Sequence, residues 1–157
     1  MRQIEVAFTG SRKGLSIRQK FSTNMILDCF FHNYDEITFY HGDCVGSDAD
    51  FHDNILSLCF LYNNYMNINE KRIKVVLFPA LTAEENRAHC VNDKRVFRFL
   101  TVVEKNPKKP LDRNKDIIFI PKFLIACPNK SETLRSGTWA TVRKARELGK
   151  SVIVFEF

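Results

Sequence analysis

Two apolar runs, Phe123–Cys127 and Ser151–Phe157, enclose the stretch Leu134–Lys150, Leu-Arg-Ser-Gly-Thr-Trp-Ala-Thr-Val-Arg-Lys-Ala-Arg-Glu-Leu-Gly-Lys. Trp139, Val142, Ala145 and Leu148 recur at helical spacing, and Gly149 supplies the residue that tolerates the left-handed region where a helix stops. Strand, polar loop, helix and strand in that order make a βαβ unit. Such a unit aims the helix N-terminus at whatever lies above the carboxyl ends of its strands. Here that terminus carries Ser136, Gly137 and Thr138, with Arg135 just ahead. Unpaired amides, the positive end of the macrodipole and a guanidinium converge, which is a way to hold phosphate or carboxylate. The competing reading is that Ser136 or Thr138 caps the helix and Gly137 turns the chain.

The rest of the chain repeats the alternation. Ile4–Thr9 reads as a strand, followed by Gly10-Ser11-Arg12 and by Ser16-Ile-Arg-Gln19, a capping-box pattern opening a helix over residues 17–32. Phe21, Met25 and Cys29, with Ile26 and Phe30, are its expected apolar face. Glu36–His41 is the second strand, and Gly42-Asp43-Cys44-Val45-Gly46-Ser47-Asp48 the second glycine-rich turn. Ser47 or Asp48 can cap the next helix, which should bury Ala49, His52, Ile55 or Leu56, and Cys59, leaving Asp50 facing solvent. Arg72–Pro79 is the third strand. Thr82-Ala-Glu-Glu85 has capping-box form and predicts a helix to about Phe99. Glu104–Pro110, with its prolines and lysines, reads as a solvated loop, and Leu111–Ile118 as the start of a short helix. Five strands alternating with helices predict a doubly wound α/β domain, with a mainly parallel sheet and helices on both faces. Ligands bind such sheets outside the carboxyl ends of the strands, where all three glycine turns fall.

Length and charge narrow the partners. The 157 residues supply material for one core, so residues 1–157 are expected to form one domain. Residues 1–80 hold 8 basic and 9 acidic side chains, and residues 81–157 hold 16 and 9, so the net charge of +6 belongs to the second half. That field invites an anionic partner such as a nucleotide or a nucleic acid. The five cysteines stand at least fifteen positions apart with no C-x-x-C pair, which fits reduced cytosolic thiols. With no signal peptide and no membrane-length apolar segment, the expected setting is cytoplasmic.

Taken in order, Phe8-Thr-Gly-Ser-Arg12, His41-Gly-Asp-Cys-Val-Gly-Ser-Asp-Ala-Asp-Phe-His52, Phe78-Pro-Ala80, Asp112-Arg-Asn-Lys115 and Arg135-Ser-Gly-Thr-Trp139 resemble the SLOG superfamily. This Rossmann-like group includes the DNA-processing protein DprA, the LOG phosphoribohydrolases and small YspA-like proteins. The YspA-like branch is nearest, through its similar His-Gly and Phe-Pro-Ala motifs. The resemblance implies a site for a nucleotide or nucleotide derivative, lined by Gly10, Ser11, Arg12, Gly42, Asp43, Gly46, Ser47, Arg113, Asn114, Arg135, Ser136, Gly137 and Thr138. LOG enzymes also resemble one another in a Pro-Gly-Gly-x-Gly-Thr-x-x-Glu loop whose glutamate takes part in cleaving the N-glycosidic bond. Here Leu134-Arg135 replaces the paired glycines and Thr141 replaces the glutamate, so the negative charge that would stabilise an oxocarbenium-like transition state is missing.

Three functions stay open from sequence. A nucleotide-binding domain could act as sensor or as an N-glycosidic or phosphate-ester hydrolase; in the latter, Asp43 and Asp48 are the carboxylates near the turns. A DprA-like single-stranded DNA binder would use the basic second half, including Lys105–Lys115. A non-catalytic homo-oligomeric module would bury the surplus phenylalanines. No cofactor is demanded, although a divalent metal could accompany a nucleotide. Arg12, Arg113 and Arg135 are the guanidiniums expected around phosphate. His52 is expected to be buried, bonding back toward the turn. Cys44 with His41 or His52 could form a thiolate and base pair, although nothing in the spacing demands it, and the same residues lack the spacing of a zinc finger, so no metal site is predicted. Trp139 is expected in the core.

Overall fold

A computed structural model describes residues 1–66, 71–95 and 97–157. The strands are β1 (Gln3–Gly10), β2 (Glu36–His41), β3 (Arg72–Leu77), β4 (Leu100–Glu104), β5 (Phe123–Cys127) and β6 (Ser151–Val154). All pair in parallel, in the order β4-β3-β2-β1-β5-β6. The helices are α1 (Ile17–Asn33), α2 (Ser47–Tyr65), α3 (Pro110–Phe119) and α4 (Gly137–Glu147). The chain winds outward from β1 to β4, then α3 carries it back to β5 on the other side of β1. The topological switch therefore lies between β1 and β5, at the strand that ends in Gly10.

Alternation along the strands divides the core in two. Val6, Phe8, Ile37, Phe39, Ile73, Val75, Leu77 and Ile125 meet α1 and α2 through Leu27, Phe31, Phe51 and Ile55. Ala7, Tyr40, Val76, Leu124 and Ala126 meet α3 and α4 through Ile117, Ile118, Trp139, Val142 and Ala145. Trp139 is in the core as expected, with its indole N–H given to the Lys130 carbonyl at 3.0 Å. α3 and α4 cover part of this second face. Glu36, Thr38, Arg72, Lys74, Thr101 and Val103 consequently line an open groove of about 1290 Å³ over β2, β3 and β4.

Several local expectations are corrected. α1 is turned away from part of its predicted face: Phe30 is buried and Ile26 packs on the core as expected, but Phe21 and Met25 are 67% and 55% exposed and Cys29 is exposed, while Gln19, Thr23, Leu27 and Phe31 are buried. Gln19 decides this. Its amide donates to the Pro128 and Phe155 carbonyls at 2.7 and 2.8 Å, tying the first turn of α1 to the ends of β5 and β6. The predicted capping box is present, with Ser16 Oγ accepting from Gln19 N and Gln19 Oε1 accepting from Ser16 N. α2 is preceded by Gly46 and lacks a side-chain cap, so neither Ser47 nor Asp48 serves in that role. Asp50 is half-buried, accepting from Leu15 N at 2.8 Å and pairing with Lys20 at 3.0 Å. Leu148 lies at the end of α4 and is 48% exposed. Gly149 has the expected positive φ of 68°.

Among the described residues, the helix predicted from Thr82 to Phe99 does not form. Two short 3-10 turns, Glu84–Asn86 and Cys90–Asn92, stand there, and no side chain caps the first. The backbone is claimed by the second glycine turn instead: Val45 N–H bonds Asn86 O, Ala88 N–H bonds Asp43 O, and Cys90 N–H bonds Asp43 Oδ1. Amides so engaged cannot reach carbonyls four residues back. The segment Leu100–Glu104, for which the sequence predicts no element before the loop at Glu104, forms β4 at the sheet edge.

Candidate functional site

Three turns widely separated in sequence meet at the carboxyl edge of the sheet. A Cβ on Gly10 would fall 2.3 Å from Ser47 Cβ, so only glycine lets α2 start directly above β1. Gly46 has φ +87°, and a Cβ there would stand 2.3 Å from the Arg12 carbonyl oxygen. Both demands pack the second turn onto the first, and Ser47 N–H completes the contact by donating to Ser11 O at 2.9 Å. From the other face Thr138 Oγ1 donates to Gly10 O at 2.9 Å, bringing the start of α4 to the same place. Ser136 does cap α4, its hydroxyl accepting from Trp139 N, while Gly137 is exposed.

Arg113 projects from α3 over Gly42. A Cβ at Gly42 would overlap its Nη1 at 1.5 Å, so the guanidinium lies against bare backbone. Arg113 Nη2 donates to Cys44 Sγ at 3.2 Å, and its Nε is buried with no partner. Ser47 Oγ is likewise buried with no partner. Asn114, next along α3, is half-buried. Arg12 and Arg135 are exposed, the first touching Asn86 Oδ1 at 3.3 Å. The ion-paired arginines of the described residues are Arg72, Arg87, Arg95 and Arg143. Arg12, Arg113 and Arg135 stand outside that set.

The two aspartates of the second turn differ in what they touch. Asp43, fully buried and at φ 53°, is occupied by the fold: Arg87 Nη2 sits 3.0 Å from Oδ2, and Cys90 N–H donates to Oδ1 at 2.9 Å. Asp48 is also buried and accepts from Cys44 N at 3.1 Å. Desolvation pushes its carboxyl up to about 6, against the pull of Arg113 and the turn amides. Cys44 faces Arg113 rather than a histidine, and burial together with Asp48 raises its thiol above the ordinary value, so it is no ready thiolate.

His52 is buried as expected, bonded to His41 at the end of β2: His41 Nε2 and His52 Nδ1 are 3.1 Å apart. Burial lowers both rings below the usual histidine range, His41 well below it, which keeps them neutral. Arg87, Asn86 and Cys90 escaped the sequence reading. They belong to the segment read as helix, and only the hydrogen bonds of Asp43 and Arg12 reveal them.

The groove of about 1290 Å³ lies away from these turns. It is an uncovered sheet face, crossed by the Arg72–Glu36 ion pair at 2.9 Å. No protein-family model and no curated protein matches the chain. Among solved structures, the X-ray structure of TM1055, a structural-genomics target, is similar at a TM-score of 0.53 and 12% identity, covering 95% of this chain and 72% of that one. Likeness at that identity speaks for the fold alone, and with the sheet order it establishes a doubly wound, Rossmann-like α/β architecture.

Proposed function

We propose that the carboxyl edge of the sheet binds the phosphate of a nucleotide or nucleotide-derived small molecule. The observation that carries this reading is the pair of buried, partnerless polar groups, Ser47 Oγ and Arg113 Nε, on two of the converging elements. Buried polar groups are nearly always satisfied, so two orphans at one edge mark a place where something else supplies the partner. A phosphate supplies acceptors for both, and Arg113 can offer it a charge-assisted hydrogen bond. Arg12 and Arg135 add positive charge from exposed positions, and the likeness of the turn motifs to the SLOG superfamily agrees in kind.

Binding as a sensor and hydrolysis remain distinct forms of the same reading. Asp43 is engaged by Arg87 and Cys90, which leaves Asp48 as the carboxyl for acid–base work. Its raised value suits a group that exchanges a proton near neutrality. In the hydrolase form Asp48→Asn abolishes turnover while sparing binding.

Thermal shifts with AMP, ADP-ribose, NAD, cyclic nucleotides and oligo-dT at two salt concentrations test the reading. A small nucleotide should raise the melting temperature, and Arg113→Ala should remove that rise while the variant still melts cooperatively. Stabilisation by oligo-dT alone, falling steeply with salt, would instead support single-stranded DNA binding. The loop lysines favour that outcome less, because Lys108 pairs with Asp116 at 2.6 Å and Lys115 with Asp112 at 3.1 Å.

A further inference from the structure

We propose that His41, His52 and Cys90 form a zinc(II) site, separate from the phosphate cup and opening beside the Cys90–Asn92 turn. The three residues come from the end of β2, from α2 and from the turn that replaces the expected helix. All are buried, and one donor atom from each lies within 4.8 Å of the other two. Neighbouring donors of a tetrahedral zinc stand ~3.5 Å apart, given bonds of ~2.0–2.3 Å, so side-chain shifts of about an ångström close the site. Two imidazoles and a thiolate suit zinc, whereas calcium and magnesium take oxygen ligands. His52 and Cys90 also line a cavity of about 440 Å³ with Ala49, Asp53, His89 and Asp93. That cavity gives the ion an entry path and room for a water as fourth ligand.

A second observation concerns proton positions. Asp43 N–H donates to His41 Nδ1 at 3.2 Å, which puts the His41 proton on Nε2, facing His52 Nδ1. The His52 proton then sits on Nε2, which is buried and has no partner. In a ligating histidine the outward ring N–H is offered to a carboxylate or water, and Asp93 borders the same cavity. Ligation through His41 Nε2 moves that ring's proton to Nδ1 and forfeits the Asp43 N–H bond. Cys90 releases its thiol proton to solvent. Two hydrogen bonds, Asp43 N–H to His41 Nδ1 and His41 Nε2–H to His52 Nδ1, are exchanged for three metal–ligand bonds.

Chelator-treated protein titrated with Co²⁺, as a spectroscopic substitute for Zn²⁺, tests the site, with Zn²⁺ affinity read by competition against a chromophoric chelator. The expected result is one equivalent bound with a sulfur-to-cobalt charge-transfer band. Cys90→Ser should abolish that band, and exposed Cys29→Ser should keep it. His52→Gln should weaken zinc on the order of a hundredfold, since even outer-shell changes cost roughly 10–100-fold. Wild-type protein gives an answer that needs no variant: in long-range ¹H–¹⁵N spectra zinc should switch His41 to the Nδ1–H tautomer and shift the Asp43 amide. Absence of binding, a band that survives Cys90→Ser, or a His41 tautomer indifferent to zinc would overturn the proposal.

Discussion

Asp43 and Asp48 share a turn, yet their surroundings assign them opposite energetic signs. Asp48 is buried without an ion pair, and its carboxyl rises from the ordinary 3.8 to about 6. A carboxyl raised on folding favours the native state when protonated, so its ionisation costs stability as pH climbs from about 4 through 6. Asp48→Asn keeps an oxygen for Cys44 N–H and removes the charge. The variant should be more stable than the wild type at pH 8 by up to ~3 kcal/mol, with the difference vanishing below about pH 4, as read by urea melts across pH. Asp43 behaves the other way. It pairs with Arg87, whose side chain is 14% exposed, and holds Cys90 N–H, so Asp43→Ala strands a buried amide and leaves Arg87 to Glu104 alone, at 2.8 Å. A loss of ~1–3 kcal/mol is expected, together with faster hydrogen exchange at Cys90. Sequence brought both residues to the site as equals; the partners that separate them lie some 40 positions on, where no spacing rule reaches.

α1 shows how an element can be recognised and still be misoriented. Its length and its capping box follow from local chemistry, because Ser16 and Gln19 are three residues apart and meet in any helix that starts there. Its rotation is a tertiary matter. Gln19 reaches two carbonyls at the ends of distant strands, and Thr23 accepts from Asn54 of α2 at 3.0 Å, so a polar stripe is buried and Phe21 faces water. Gln19→Ala should therefore cost ~1–3 kcal/mol, since it leaves the buried Pro128 carbonyl and the part-buried Phe155 carbonyl without donors. Phe21→Ser should change stability by no more than ~0.5 kcal/mol. Paired thermal melts check the contrast, and the reverse order would reinstate the apolar face expected from composition. The 3-10 segment fails for a related reason: Thr82-Ala-Glu-Glu85 has a helix-starting pattern, but Asp43 and Val45 take the backbone groups a helix would need.

Across the whole molecule, the switch between β1 and β5 places Gly10 at the crossing of both halves, with α2 above it on one side and Thr138 on the other. Gly10→Ala puts a methyl 2.3 Å from Ser47 Cβ. It should lower the melting temperature and weaken nucleotide-induced stabilisation together, whereas Gly137→Ala, which meets nothing within 4 Å, should leave stability nearly unchanged. Among the described residues no helix is long and apolar enough to cross a membrane. The unevenly held charge of +6 remains a property of the whole surface, and salt dependence of ligand binding is its measure.

The strand–turn–helix alternation, the parallel winding and the three glycine turns were legible in the amino-acid order. They depend on neighbours within one or two helical turns, and the crossover rule then leaves few arrangements. The face that α1 buries, the loss of the Thr82–Phe99 helix, the edge strand β4 and the meeting of Cys90 with His41 and His52 were decided by tertiary structure alone. Each turns on hydrogen bonds or packing between residues far apart in the chain, and those bonds exist only once the sheet has brought their partners together.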